Sequence, residues 1–256
     1  MSAEDILSQP APPPDRKVAY GRDPNQFLEV RLPPGKGPHP VLLNIHGGFW
    51  RAKYSLAHAG HLCDALRGAG VATFNVEYRR IGNDGGGWPG TFADIRSAYG
   101  YMRQEYSRFH LDLKRLAVMG HSAGGQLALC LAAHERALGQ VIALAGVVDL
   151  KKAFALHLSN DAVVEFLGGK PNDVPEHYRE SDPMELNITH ARQRLLHGTE
   201  DDTVPPAFSR DYADQKKKRA EQVELIEIAH AGHFDLIDPR SEAFKKVKAA
   251  VLSALG

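Results

Sequence analysis

The ten residues from Val118 to Leu127, VMGHSAGGQL, constrain this chain more than any other stretch. A short apolar run, RLAVM, gives way at once to small residues, and GQLALCLAAHERAL follows with helical periodicity. That is the pattern of a buried strand turning abruptly into a helix. Bulky side chains collide at such a bend, and the residue at its tip is held in a strained conformation with its side chain thrust outward. Gly120-x-Ser122-x-Gly124 puts a serine hydroxyl at the tip, with the strand before it and the helix after it that a nucleophile elbow requires. A serine displayed in this way becomes reactive only if a base, an acid and an oxyanion hole lie near it.

The rest of the chain predicts the sheet that such a turn needs. RKVAYG and NQFLEVRLP read as two strands joined by a turn, and PVLLNIHGG as a buried strand running into glycines. LAHAGHLCDALRGAG is a helix closed by Gly70, VATFNVEYR a strand, and TFADIRSAYGYMRQEYSRF a long helix. After the elbow come strand QVIALAGVV, an irregular helical stretch over 150–190, strand RQRLLHG, a helix over 206–219, strand QVELIEIA and a helix from about 240 to 254. Strands alternating with helices give a mostly parallel sheet with helices on both faces. Continuously apolar strands such as VIALAGVV fit burial on both sides. We read residues 1–256 as one domain, with 1–16 a flexible, proline-rich lead and 150–190 a cap-like excursion over the site.

Bulk properties exclude several functions. With 31 basic and 31 acidic residues, nothing favours a nucleic-acid or polyanion partner. The basic run Lys216 to Arg219 reads as the solvated face of a polar helix. The N-terminus has acids and prolines where a signal peptide or anchor needs an apolar core, and no later run is long enough to span a bilayer. Cys63 and Cys130 fall on apolar helix faces as inert thiols, which fits a cytoplasmic location. Thirteen histidines show neither HExxH spacing nor a matching cysteine set, so no metal and no cofactor are expected.

Ligands of open parallel sheets bind beyond the carboxyl ends of the strands. Three stretches besides the elbow lie there. In His46-Gly47-Gly48-Phe49-Trp50, small residues let the Gly48 and Phe49 amides join that of Ala123 as oxyanion donors, while His46 itself bonds the backbone of its turn. HGTEDDTVP offers three acids, Glu200, Asp201 and Asp202, one of which can orient an imidazole. HAGHFDLID offers His230 and His233, with Gly232 supplying backbone freedom for the second to reach inward. Asp149 is a helix cap, and Trp50 and Trp88 are candidate walls of a substrate pocket.

In this order HGGFW, GHSAGG, HGTEDDTVP and GHFDLI resemble the α/β-hydrolase superfamily over residues 17–254. The resemblance implies Ser122 as nucleophile, Asp201 as the acid, His233 as the base, and oxyanion donors at Gly48, Phe49 and Ala123. HGG followed by an aromatic and Trp is similar to arylformamidase-like and small-acyl esterase members. Hormone-sensitive-lipase relatives differ, with a third glycine in place of Phe49 and aspartate in place of His121. The implied activity is that of a serine carboxylesterase, acting on small-molecule esters or activated amides through an acyl-enzyme. Two other implied activities are arylformamidase action on N-formylkynurenine and a small acyl-peptide hydrolase. A non-catalytic binding protein on the same fold is the reading from a different class.

Overall fold

The computed structural model describes residues 3–256. Its centre is one eight-stranded sheet: β1 (Arg16–Ala19), β2 (Phe27–Arg31), β3 (His39–Ile45), β4 (Ala72–Glu77), β5 (Leu111–His121), β6 (Gln140–Leu144), β7 (Arg192–Gly198) and β8 (Val223–Ile228). The spatial order is β1-β2-β4-β3-β5-β6-β7-β8. Only the β1–β2 and β2–β4 pairs are antiparallel, and every later pair is parallel. All six residues of β4 are buried, as a strand covered on both faces must be.

The helices divide between the faces. On one side α1 (Gly60–Gly68) and α8 (Glu242–Leu255) bring Leu62, Leu66, Phe244 and Val251 against Leu42, Met119 and Leu196 of the sheet. On the other, α2 (Gly90–Gln104), α3 (Ala123–His134) and α7 (Ala207–Lys218) pack Ile95, Leu127 and Phe208 against Leu43, Val118 and Leu195. Adjacent β5 residues, Val118 and Met119, thus anchor opposite layers, as the two-residue strand period demands.

Some expected boundaries move. The helix expected to run to Phe109 ends at Gln104, and β6 stops at Leu144 because Ala145 takes a left-handed φ of 45°. Residues 150–190 fold into α4 (Leu150–Ala155), α5 (Ala162–Leu167) and α6 (Pro175–Ser181). Asp149 caps α4, accepting from the Lys152 amide at 2.8 Å. The lead, expected to be loose, lies along the body. Ile6 is buried, the Pro12 carbonyl accepts from the buried Arg31 at 2.7 Å, and Ala11 sits where a side chain on Gly60 would be. Both cysteines are buried and free. Among the described residues no helix is long and apolar enough to cross a membrane.

Candidate active site

Because β3, β5, β7 and β8 run in the same direction, their carboxyl ends open onto one edge of the sheet. The β5–α3 turn is there. Ser122 has φ 57° and ψ −120°, a conformation that costs an L residue about 1–3 kcal/mol. Neighbours hold it in place: its N–H donates to the Leu144 carbonyl at 2.8 Å, and its carbonyl accepts from Gly125 and Val147. The flanking glycines are there for space. A Cβ on Gly120 would lie 2.0 Å from the Gly124 carbonyl oxygen, and one on Gly124 would lie 2.1 Å from that of Ile45.

The loop after β3 has three consecutive left-handed residues, Gly48, Phe49 and Trp50. At Gly48 a Cβ would come within 2.5 Å of the Tyr54 side chain. This winding leaves the Gly48 and Phe49 amides without hydrogen bonds among the described residues, and Ala123, first in α3, has no intrahelical acceptor for its own. His46 supports the loop from below: its ring bonds the Gly47 carbonyl at 2.7 Å and Glu77 at 3.0 Å, and it stacks on Tyr78.

The loops after β7 and β8 bring Asp201 and His233 together, both buried. His233 Nδ1 donates to Asp201 Oδ2 at 2.7 Å, which leaves Nε2 as the free lone pair. The other carboxylate oxygen accepts from the Thr203 and Val204 amides at 2.9 and 2.8 Å. Burial by itself would raise the Asp201 pKa. Hydrogen bonds from His197 and His233, the electrostatic pull of the His233 ring and the Val204 amide outweigh it and hold the carboxyl well below the usual range. His230 and Glu200, the competing candidates, pair with each other instead at 2.9 Å, both strongly exposed. Asp202 is exposed as well. The backbone freedom expected of Gly232 is not used: its N–H bonds the Asp235 carboxylate, and the left-handed residue of this loop is His230.

Sequence reasoning missed two histidines. His197 Nε2 faces the Val204 carbonyl at 2.8 Å and Asp201 Oδ2 at 3.2 Å, so it donates, and its Nδ1 accepts from the Ser209 hydroxyl. Its place at the end of an apolar strand was the available signal. His121, adjacent to Ser122, donates from Nε2 to the His233 carbonyl at 3.0 Å. Burial first, then the nearby His233 and His58, hold its pKa well below the ordinary value, so the ring is neutral.

Ser122 and His233 line one cavity of about 360 Å³, together with Gly48 and Phe49. Tyr54, His58, Thr203 and Phe234 complete most of its wall. Ser122 Oγ makes no hydrogen bond among the described residues, and such contacts often tighten only once substrate is bound. Neither candidate tryptophan reaches this cavity. Trp50 is buried, its indole N–H donates to Gln126 at 3.0 Å, and its ring stacks on Phe166. Trp88 stacks on Phe92, and its amide bonds the Phe166 carbonyl. No residue of the 150–190 excursion lines the cavity either. Among the described residues, no group of three or more His, Cys, Asp or Glu could hold a metal ion.

A family model described as BD-FAE matches residues 28–215. The chain belongs to the BD-FAE family. This BD-FAE member is similar to Esterase LipC of Mycobacterium tuberculosis, 27% identical over 259 residues, covering 87% of this chain and 60% of the relative. Across the curated relatives matched, it spans between 51% and 63% of their length. Among solved structures it is similar to a truncated carbohydrate esterase from gut microbiota, with TM-score 0.80, 20% identity, and coverage of 93% of this chain and 94% of that one. It is also similar to the propionate-bound esterase Est2 of the Planctomycetes species Thermogutta terrifontis, with TM-score 0.73, 23% identity, and coverage of 93% and 91%. The BD-FAE chain therefore has the α/β-hydrolase fold.

Proposed function

We propose that this BD-FAE chain is a serine hydrolase that cleaves esters of small acyl groups through an acyl-enzyme. One observation carries the reading: a strained Ser122 and an Asp201-bonded His233 line the same small cavity. Ser122 Oγ attacks the ester carbonyl carbon while His233 Nε2 takes its proton. The Gly48, Phe49 and Ala123 amides hold the oxyanion of the tetrahedral intermediate. Collapse breaks the bond to the alkoxy oxygen, which leaves as an alcohol with the proton from His233. Water, deprotonated by the same imidazole, then attacks the acyl-enzyme, releases the acid and restores Ser122.

A cavity of about 360 Å³ lies near the lower limit for ligand sites and favours short acyl groups. Its aromatic walls, Phe49, Tyr54 and Phe234, also favour an aryl leaving group. Propionate in a structural neighbour and the esterase names of the relatives agree with this chemistry. The test is turnover of p-nitrophenyl acetate, with N-formylkynurenine run beside it to separate esterase from formamidase. Ser122→Ala is expected to lose about a millionfold in kcat, the scale seen when a serine hydrolase loses its nucleophile. A folded Ser122→Ala variant retaining a tenth of wild-type turnover would overturn the reading.

A further inference from the structure

One cavity wall comes from an unexpected part of the chain. Leu7 lines the same cavity as Ser122 and His233, yet it sits on the 3-10 turn Ala3–Leu7 at the start of the described chain. It is 39% exposed, one of the few large apolar side chains left so open to solvent. Exposure alone says little of a single leucine, but this one also lines the cavity, so the surface the protein leaves uncovered is open to a ligand there.

The turn that carries it is anchored on both sides. Immediately before it, Ile6 is 1% exposed and buried in the layer containing Leu62, Leu66 and Leu236. Behind it, Ala11 fills the space over Gly60, Pro12 is held by Arg31, and the Leu32 amide bonds the Asp15 carboxylate at 2.6 Å. The chain is thus held on either side of Leu7, whose side chain lines the cavity.

We propose that Leu7 is a specificity-determining residue of this site: its side chain closes the cavity mouth and limits the length of the substrate's acyl or alcohol group. This rests on the ester-hydrolase reading above. One or two methylene groups gained or lost against such a wall discriminate between substrates by about 10- to 200-fold.

The experiment compares kcat/KM for p-nitrophenyl acetate, butyrate and octanoate across wild type, Leu7→Ala, Leu7→Trp and Leu252→Ala. Leu252, on α8 and 38% exposed, is an equally open leucine that does not line the cavity. Leu7→Ala is expected to raise the octanoate-to-acetate ratio at least about tenfold, mainly through KM, and Leu7→Trp to lower it by a similar factor. Leu252→Ala should leave the ratio at its wild-type value. Ratios within about threefold of wild type for both Leu7 variants would overturn the proposal while leaving the hydrolase intact. Wild-type protein that turns over none of the esters, with Ser122 unlabelled by a fluorophosphonate, would overturn the hydrolase reading and this one with it.

Discussion

At the residue scale the candidate site separates two acid–histidine pairs by burial. Asp201 and His233 bond at 2.7 Å in the interior, while Glu200 and His230 bond at 2.9 Å in solvent. Water screens the outer pair, so it contributes little. The inner pair fixes the tautomer of an imidazole that lines the same cavity as Ser122. We expect Asp201→Asn to lower kcat by about 10⁴, the scale for a triad carboxylate replaced by an amide, and Asp202→Asn to cost at most about tenfold. In the same assay His233→Ala should abolish turnover and fluorophosphonate labelling, and His230→Ala should retain at least about a tenth of each. Reversal of the first contrast would move the acid to Asp202, and reversal of the second would move the base to His230. Adjacent residues of one loop cannot be told apart by composition, so only motif register singled out Asp201 and His233 in the sequence. His197 was missed because its role depends on Asp201 folding back four residues to meet it, a contact no local pattern encodes.

At the element scale, loop and helix are joined by a buried amide. Gln126 of α3 accepts from the Trp50 indole at 3.0 Å and donates to the Ser181 carbonyl at 2.8 Å, linking the loop after β3 to the end of α6. Gln126→Leu leaves a buried donor and a buried acceptor unpaired, at a cost of about 2 kcal/mol or more. We expect a lower urea midpoint with the unfolding slope unchanged, and a fall in kcat as the loop loosens. An unchanged midpoint would mean that the link is dispensable. The elements themselves were readable: all eight strands and the five long helices follow from apolar period and glycine punctuation. What failed was assigning Trp50 and Trp88 to the pocket. An aromatic next to a glycine loop can turn either way, and here the Trp50 indole N–H bonds Gln126 inside while Trp88 stacks on Phe92.

At the scale of the whole molecule, buried titratable groups set the response to acid. Burial first, then His46, lowers His58 to about 3, and His121 shifts in the same direction. As pH falls below 6.5 the unfolded chain takes up these protons before the folded chain does, for His58 down to about 3, so both histidines destabilise the fold as pH falls. Asp182, raised to about 7 by burial and then Asp149, acts in the opposite direction over nearly the same range and offsets one of them. The net expectation is stability falling with acidification between pH 6 and 4, because two histidines act against one carboxyl. Denaturant titrations at stepped pH would measure it, and His58→Gln should flatten the slope; a steeper slope in that variant would reverse the sign argued here. The left-handed turn at Ser122 has a consequence for synthesis. Leu144 and Val147 hold it, so its partners are complete once β6 has emerged, whereas His233, the proposed base, lies in the loop after β8. At ribosomal speeds of about 5–20 residues per second, the nascent chain passes roughly 4–20 s with a serine on display and no base to activate it. On the proposed mechanism, chemistry is withheld until the last strand is in place.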